Sequence, residues 1–428
     1  MEPGIRDVVG IGFGPSGLAL AIALRELGKS APEHAVSAAF VERQARFGWH
    51  RDMLLPSAKM QVSFLKDLVT FRNPMSPHSF VAYLHAAGRL AQFVNNDDVL
   101  PTRREFHSYL EWAAAGYAGS VDYGVAATGI RLPGGDPRAG HLEIDVTDGA
   151  GSRQLRAANV VISTGLVPAM PAGIAAGDRV WHSSTFLSRF TAADPATLRR
   201  IAVLGAGQSA AEIVRFLRTA LPAATVYAIL PSYGYAVADS TPFANQVFDP
   251  GAVDDYHGAG PGGRDAFWRY HRNTNYAVVD DEVLRDLHRM AYEDEVTGDR
   301  RLTLLRLSRV HAIRRTAGGV RLRLSSQLDA EHTELDADLA ICATGYRPMQ
   351  PTGLLGDLEG HLRRDEAGRY LVTRDHRLVT GDEVPWAVYL QGGTEHTHGL
   401  SASLLSNVAV RAGEIAGSIL GRVRVPAF

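Results

Sequence analysis

Three glycines, Gly12, Gly14 and Gly17, interrupt an apolar run from Val8 to Leu24, where a strand pattern hands over to a helix pattern. That context gives them a chemistry. The first permits a tight turn, the second lets a pyrophosphate approach the backbone, and the third lets helix and strand pack closely. Pro15 and Ser16 open the helix, whose N-terminus offers free N–H groups and partial positive charge to phosphates. Glu42 ends the next apolar strand, SAAFVER, with a carboxylate able to accept hydrogen bonds from ribose hydroxyls. The interval from Gly12 exceeds the usual ~20 residues, and a loop at 30–34 accounts for the excess. An ordinary strand-to-helix turn is the plain alternative.

A second loop, Gly205-Ala-Gly207-Gln208-Ser209-Ala210, follows IAVL and opens another helix. Alanine in the third place is an accepted variant. The strand after it, TVYAIL, runs into Pro231 with no acid at its end. A ribose 2′-OH partner is therefore missing, which favours NADPH over NADH. No arginine stands there either. Arg215 and Arg218 on the helix are candidates for that charge, and use of NADH stays open. Two dinucleotide sites in one chain imply a flavin fed by a nicotinamide. A disulfide reductase needs a cysteine pair, but the chain has one cysteine, Cys342, in the apolar run DLAICATG. It reads as a small buried hydrophobe rather than a reactive thiol. Oxygen remains as the electron acceptor.

Such loops need sheets beneath them, and each begins a βαβ unit. Two further strands, VVISTGLVPAMP (160–171) and LAICATGYRP (339–348), both run into Thr-Gly and then proline. They read as matched exits, where the chain leaves one domain and later returns. A last strand, AVYLQG, leads into the helix-period segment ASLLSNVAVRAGEIAGSIL. The expected fold is α/β, with two Rossmann-like dinucleotide-binding domains. The first is discontinuous, 1–170 and 339–428, around a second at 171–338. The 428 residues, 46% hydrophobic, suffice for two or three cores. A net charge of −2 gives no sign of a nucleic-acid partner. No apolar stretch approaches the ~20 residues of a membrane span, and no basic n-region precedes Val8. The reading is a cytoplasmic chain without signal peptide.

Only three of the 44 basic residues are lysines: Lys29, Lys59 and Lys66. Arginine supplies the ordinary surface charge, so each lysine stands out. Two fall in WHRDMLLPSAKMQVSFLKDL (49–68), which has neither helical nor strand period. That suits a loop wrapped around a flat cofactor; an irregular core connection is the alternative.

Together, GIGFGPSGLALAIAL, WHRDMLLPSAKMQVSFLKDLVTFRNP, GAGQSAAE, FANQVFD, TNYAVVD, CATGYRP and THGLSASLLS resemble the microbial amino-acid N-hydroxylating flavin monooxygenases. The likeness runs in order along nearly the whole chain. It is nearest to L-ornithine N5-monooxygenases, with L-lysine N6-monooxygenases as near relatives. Gly17 departs from the many relatives that carry asparagine. The resemblance implies FAD in the first domain, NADPH in the second, and a small, largely helical substrate-binding region to which 236–300 contribute. It implies that NADPH reduces FAD, that the reduced flavin activates O2, and that a side-chain amine takes one oxygen atom. The products are the hydroxylamine, water and NADP+, for siderophore or other hydroxamate or N–N natural-product biosynthesis. L-Ornithine is the first substrate considered; lysine or a diamine is the alternative. A flavoprotein that binds FAD without turnover is a reading of a different class. Family members are often tetramers, so a homo-oligomer is expected.

Residue by residue, the resemblance puts Trp49, His50, Met60 and Gln61 along the isoalloxazine, with Gln61 bonded to the flavin edge or nicotinamide. Lys66 binds the amino-acid carboxylate; otherwise it is a surface lysine paired with Asp67. Asn245 and Asn275 hold the substrate head; otherwise they are turn or capping residues. Ser403 completes the pocket, unless Ser401 does and the other caps the helix. His182 in VWHSSTF is a shared linker residue or a hydrogen-bonded hinge histidine. His396 and His398 lack a carboxylate cluster or third histidine, so no metal is expected. No side-chain catalyst is expected, because the substrate amine is the nucleophile. It must be neutral, against an ordinary pKa of about 10.4. A desolvated site with no acid at the reacting nitrogen would lower that value. The C-terminal helix, if its N-terminus faces the flavin pyrimidine, stabilises negative charge by roughly 0.3–2 kcal/mol.

Overall fold

The computed structural model describes residues 4–30, 35–328 and 332–424. Residues 31–34 of the expected loop lie outside the described residues.

The first sheet starts with β1 (Arg6–Ile11), which leads through the glycine loop into α1 (Pro15–Ser30). It continues with β2 (Ala38–Glu42) and, after α2 (Arg103–Ala115), with β3 (Val121–Tyr123), β4 (Ala126–Arg131), β5 (Leu142–Asp148) and β6 (Gly151–Ile162). The spatial order is β3-β2-β1-β6-β5-β4. Val8 on β1 packs with α1, and Val9 and Ile11 pack on the opposite face with Ile144 and Trp386. A strand covered on both faces reads as continuously apolar, and VVGI does. β6 joins two kinds of pairing: its start runs antiparallel to β5, and its end runs parallel to β1. Its sequence changes accordingly, from the exposed and half-buried GSRQLR to the buried VVI.

The second sheet contains β7 (Val180–His182), β8 (Arg200–Leu204), β9 (Thr225–Ile229), β10 (Leu302–Leu305) and β11 (Leu339–Cys342). Its order is β10-β9-β8-β11-β7, parallel throughout. α3 (Gln208–Ala220) connects β8 to β9. Between β9 and β10 the chain is largely helical, with α4 (Pro250–Gly258), α5 (Pro261–Asn275) and α6 (Asp281–Thr297). This is the segment expected at 236–300. β11 departs from the expected division, which assigned everything after 338 to the returning segment. Its four buried residues sit between β8 and β7, so the return begins after Cys342.

The chain then rejoins the first sheet as β12 (Ala387–Leu390), parallel to β6. It ends in α7 (Val408–Arg424), whose Ala412, Ile415 and Ile419 share a core with Leu18 and Ile22 of α1. The two Thr-Gly-proline exits lie side by side: Leu166–Pro168 pairs antiparallel with Tyr346–Pro348. Among the described residues no helix is long and apolar enough to cross a membrane.

Candidate active site

The two glycine loops are built alike. Gly12 has φ +95°, and a Cβ there would lie 2.5 Å from the Ser163 carbonyl oxygen. Gly205 has φ +136°, and its Cβ would lie 2.3 Å from the Ala343 oxygen. Ser163 and Ala343 follow the two exit strands, so each first glycine presses on the start of an exit. A Cβ on Gly17 would meet the Gly12 oxygen, while Gly14 faces open space, as a phosphate's approach requires. Pro15 and Ser16 form the first turn of α1, and Ser209 lies in that of α3. Glu42 is 6% exposed and accepts hydrogen bonds from the N–H groups of Phe13 (2.8 Å) and Gln44 (2.9 Å). It clamps the loop while each carboxylate oxygen keeps acceptor capacity for a ribose hydroxyl. Gly12→Ala combines a left-handed φ with a backbone clash. The expected result is protein that purifies without the visible absorbance of bound flavin.

The carboxyl ends of β6 and β12 carry buried polar atoms that lack partners. Gln391 accepts from the Ser163 hydroxyl (2.8 Å), but its Nε2, like the Thr394 hydroxyl, has no partner among the described residues. Gln391 lines a cavity of about 560 Å³ with Thr164, Gly165, Gly392, Tyr256 and Trp268. An unpaired buried donor is costly, and at the carboxyl edge of a parallel sheet it fits a polar ligand such as FAD.

On the substrate side, the Lys66 ammonium lies 5.8 Å from the Phe248 ring centroid. It is half-buried and, among the described residues, makes no hydrogen bond or ion pair. Burial holds its pKa below the usual lysine value, against the opposing charge of Asp249. The pairing with Asp67 is ruled out, because that carboxylate is buried and accepts from Val69 N, Thr70 N, the Thr70 hydroxyl and Phe80 N. Phe248 packs with Val247 and Leu400. Asn245 sits one turn before Phe248 and donates to the Ser240 carbonyl (2.9 Å). Ser403 ends the turn that Leu400 begins; its hydroxyl accepts from Gly393 N (2.9 Å) and donates to Glu395. Lys66 thus meets this small core at Phe248, while Asn245 and Ser403 stand on the turns that carry Phe248 and Leu400. Asn275 ends α5, and its side chain lies outside the described residues. Ser401 is buried and accepts from Asn407 Nδ2 (3.0 Å), so neither serine caps a helix. Glu395 brings a carboxylate to the Ser403 hydroxyl. The charge of Arg411, buried in the first turn of α7, acts on it, and burial pushes the Arg411 pKa down to about 10.

Around the expected ring site, His50 has left-handed backbone (φ 48°) and meets Trp49 at 4.7 Å and Tyr346 at 6.0 Å, edge to face. Protein atoms crowd its ring, although the residue keeps solvent access. Desolvation, then the Arg103 charge, pushes its pKa down to about 4, so the ring is neutral at physiological pH. Met60 is 5% exposed and packs into the core against which α1 lies. Its loop turns Gln61 outward instead. Gln61 Nε2 donates to Asp280 (3.3 Å).

Gln208 bonds the same carboxylate. Its Nε2 donates to Asp280 (2.8 Å) and Glu212 (2.9 Å), and its Oε1 accepts from Asp280 N (2.8 Å). Both amide hydrogens are taken by protein, while Oε1 keeps one lone pair for a further donor. Arg215 and Arg218, the candidate phosphate charges, are likewise taken. Arg215 pairs with Asp286 (3.2 Å), and Arg218 is buried against Asp294 (2.5 Å). Glu212 and Asp280 close the segments GAGQSAAE and TNYAVVD without having been given a role there, and no motif marks Arg103.

His182 is hydrogen-bonded at both ring nitrogens. Its Nδ1 accepts from Ser184 N (3.1 Å), so Nε2 carries the proton donated to the Gly345 carbonyl (2.9 Å). His396 and His398 bond the carbonyls of Tyr370 and Arg374. Cys342 is fully buried, and burial pushes its thiol pKa up to about 12.

The fold thus carries two glycine loops at strand-to-helix turns and, among the described residues, an unpartnered Lys66 ammonium beside Phe248. Residues 4–348 match the family described as L-lysine 6-monooxygenase/L-ornithine 5-monooxygenase. The L-ornithine N(5)-monooxygenase of Burkholderia cepacia is 39% identical over 403 residues, covering 92% of this chain and 90% of that protein. The ornithine N-hydroxylase of Kutzneria sp. 744, solved with reduced FAD, NADP+ and L-ornithine, is 55% identical with a TM-score of 0.95, covering 99% of this chain and 100% of its own. The ornithine hydroxylase of Pseudomonas aeruginosa is 34% identical, with a TM-score of 0.91 and coverage of 98% and 100%. Loops, pocket and whole-chain likeness agree: the chain belongs to the L-lysine 6-monooxygenase/L-ornithine 5-monooxygenase family.

Proposed function

We infer that this chain hydroxylates the side-chain amine of L-ornithine with NADPH and O2, giving N5-hydroxy-L-ornithine, with FAD as its bound cofactor. Bound FAD accepts electrons from NADPH and activates O2. The protein's own residues bind, orient and exclude water. Gly12, Gly14 and the N-terminus of α1 receive the FAD pyrophosphate, Glu42 its ribose, and the unpaired Gln391 amide a further acceptor atom. The Gly205–Gly207 backbone and α3 receive NADPH. Trp49, His50 and Gln61 face the ring.

The observation that carries the reading is the Lys66 ammonium, half-buried beside Phe248 with no protein partner among the described residues. Such a group demands an anion. A substrate carboxylate supplies it and a bare diamine does not. Asn245, Asn275 and Ser403 orient the amino-acid head, so its carboxylate anchors one end and the side-chain nitrogen reaches the ring. Taking that nitrogen out of water favours its neutral, nucleophilic form.

In domain terms, residues 1–170 and the segment after Cys342 form the FAD unit, and 171–342 form the NADPH unit, carrying the substrate region at 236–300. The same reading makes the enzyme a cytoplasmic homo-oligomer, a tetramer by family likeness, serving hydroxamate siderophore or N–N natural-product synthesis. Steady-state NADPH oxidation with ornithine, lysine and putrescine, with the hydroxylamine quantified, tests it. Ornithine should yield hydroxylated product nearly stoichiometric with NADPH. NADPH oxidation that yields only peroxide with all three amines would overturn the reading.

A further inference from the structure

Strand β9 runs into Leu230-Pro231, offering neither an acid for a ribose 2′-OH nor an arginine for a 2′-phosphate. The fold brings an arginine there from the next strand. β10 lies parallel to β9, with Ile229 opposite Leu305. The turn after β10 is tied back across the sheet edge: Leu307 N donates to the Ser232 carbonyl (2.9 Å) and Ser308 N to the Leu230 carbonyl (2.8 Å). Leu307 adopts left-handed backbone, φ 46°. These bonds hold Arg306 beside the end of β9, with its guanidinium carbon 5.0 Å from the Tyr233 ring centroid. Arg306 is exposed and, among the described residues, its side chain makes no hydrogen bond or ion pair. Three other arginines of this unit differ. Arg215 and Arg218 are held by carboxylates, and Arg301 by Asp299 and the Pro222 carbonyl.

We propose that Arg306, stacked on Tyr233, binds the 2′-phosphate of NADPH and sets the preference for NADPH over NADH. In a nucleotide-binding parallel sheet, the adenosine ribose lies at the carboxyl end of the strand following the glycine-loop helix. Here that strand is β9. A guanidinium presents a planar fork that matches phosphate oxygens, and stacking on an aromatic face limits the rotamer freedom lost on binding. The missing acid on β9 removes the group that would repel a phosphate. The proposal rests on the second glycine loop being the NADPH site.

The test is calorimetric binding of 2′,5′-ADP and 5′-AMP to the FAD-loaded protein and its Arg306→Ala variant, with kcat/KM for NADPH and NADH alongside. Arg306→Ala is expected to weaken 2′,5′-ADP about 10–100-fold, the range for charge-assisted hydrogen bonds to phosphate. 5′-AMP affinity should stay within about twofold, and the NADPH-to-NADH preference should fall by the same factor as 2′,5′-ADP affinity. Tyr233→Leu is expected to give a smaller loss in the same direction. If wild-type protein binds both nucleotides and Arg306→Ala changes neither, or weakens both equally, the assignment of Arg306 is overturned. If wild-type protein binds neither, the second loop is not the NADPH site and the proposal falls with that reading.

Discussion

Replacing Lys66 with methionine is expected to raise the KM for ornithine about 10–100-fold while leaving NADPH oxidation in the absence of ornithine unchanged. Methionine keeps an apolar stem against Phe248 and removes only the charge, so packing is preserved. What is lost is a charge-assisted contact in a partly dry site, where such contacts are stronger than in water. Lys66 touches neither glycine loop, so delivery of electrons from NADPH does not depend on it. Product formed per NADPH should therefore fall at moderate ornithine concentration and recover in part at high concentration. A bare diamine has no carboxylate to lose, so any turnover of putrescine should be indifferent to the substitution. Equal loss with ornithine and putrescine would mean that Lys66 acts on the fold or the flavin, and would remove the reason for preferring an amino-acid substrate.

The largest effect on stability is expected from Glu212→Ala, about 3–5 kcal/mol. Glu212 is 2% exposed and receives both arms of the Arg103 guanidinium, each at 2.8 Å. Arg103 also donates to the Met53 carbonyl (2.7 Å). Removing the carboxylate leaves a largely buried guanidinium with only that carbonyl and takes one acceptor from Gln208. Denaturant unfolding of both proteins measures the difference. Glu212→Gln, which keeps the shape and one acceptor, should lose less. A loss for Glu212→Ala below about 1 kcal/mol would mean that water reaches the pair and screens it as it does a surface bridge.

The parts legible in the sequence were those with local causes. Gly12 and Gly205 could be read because only glycine tolerates both their dihedrals and their carbonyl neighbours. Lys66 stood out because lysine is rare here, and its position against Phe248 fits the pocket role. What was not legible depends on distant neighbours. Met60 lies in an aperiodic segment, which gives no sign of which side chain turns inward. Arg215 and Arg218 share a helix face that meets α6, a packing partner some 70 residues away in sequence. Gln208 looked like part of a cofactor loop, but Asp280 arrives only after the whole helical insertion. The boundary at 339 was misread because a fully apolar strand does not announce which sheet it joins.

Leu166–Pro168 and Tyr346–Pro348 lie antiparallel where the chain passes between the two nucleotide units. Two adjacent strands form a double pivot: they bend together, and neither can lengthen without tearing the other. A swivel of one unit against its neighbour would also part Arg103 on α2 from Glu212 on α3.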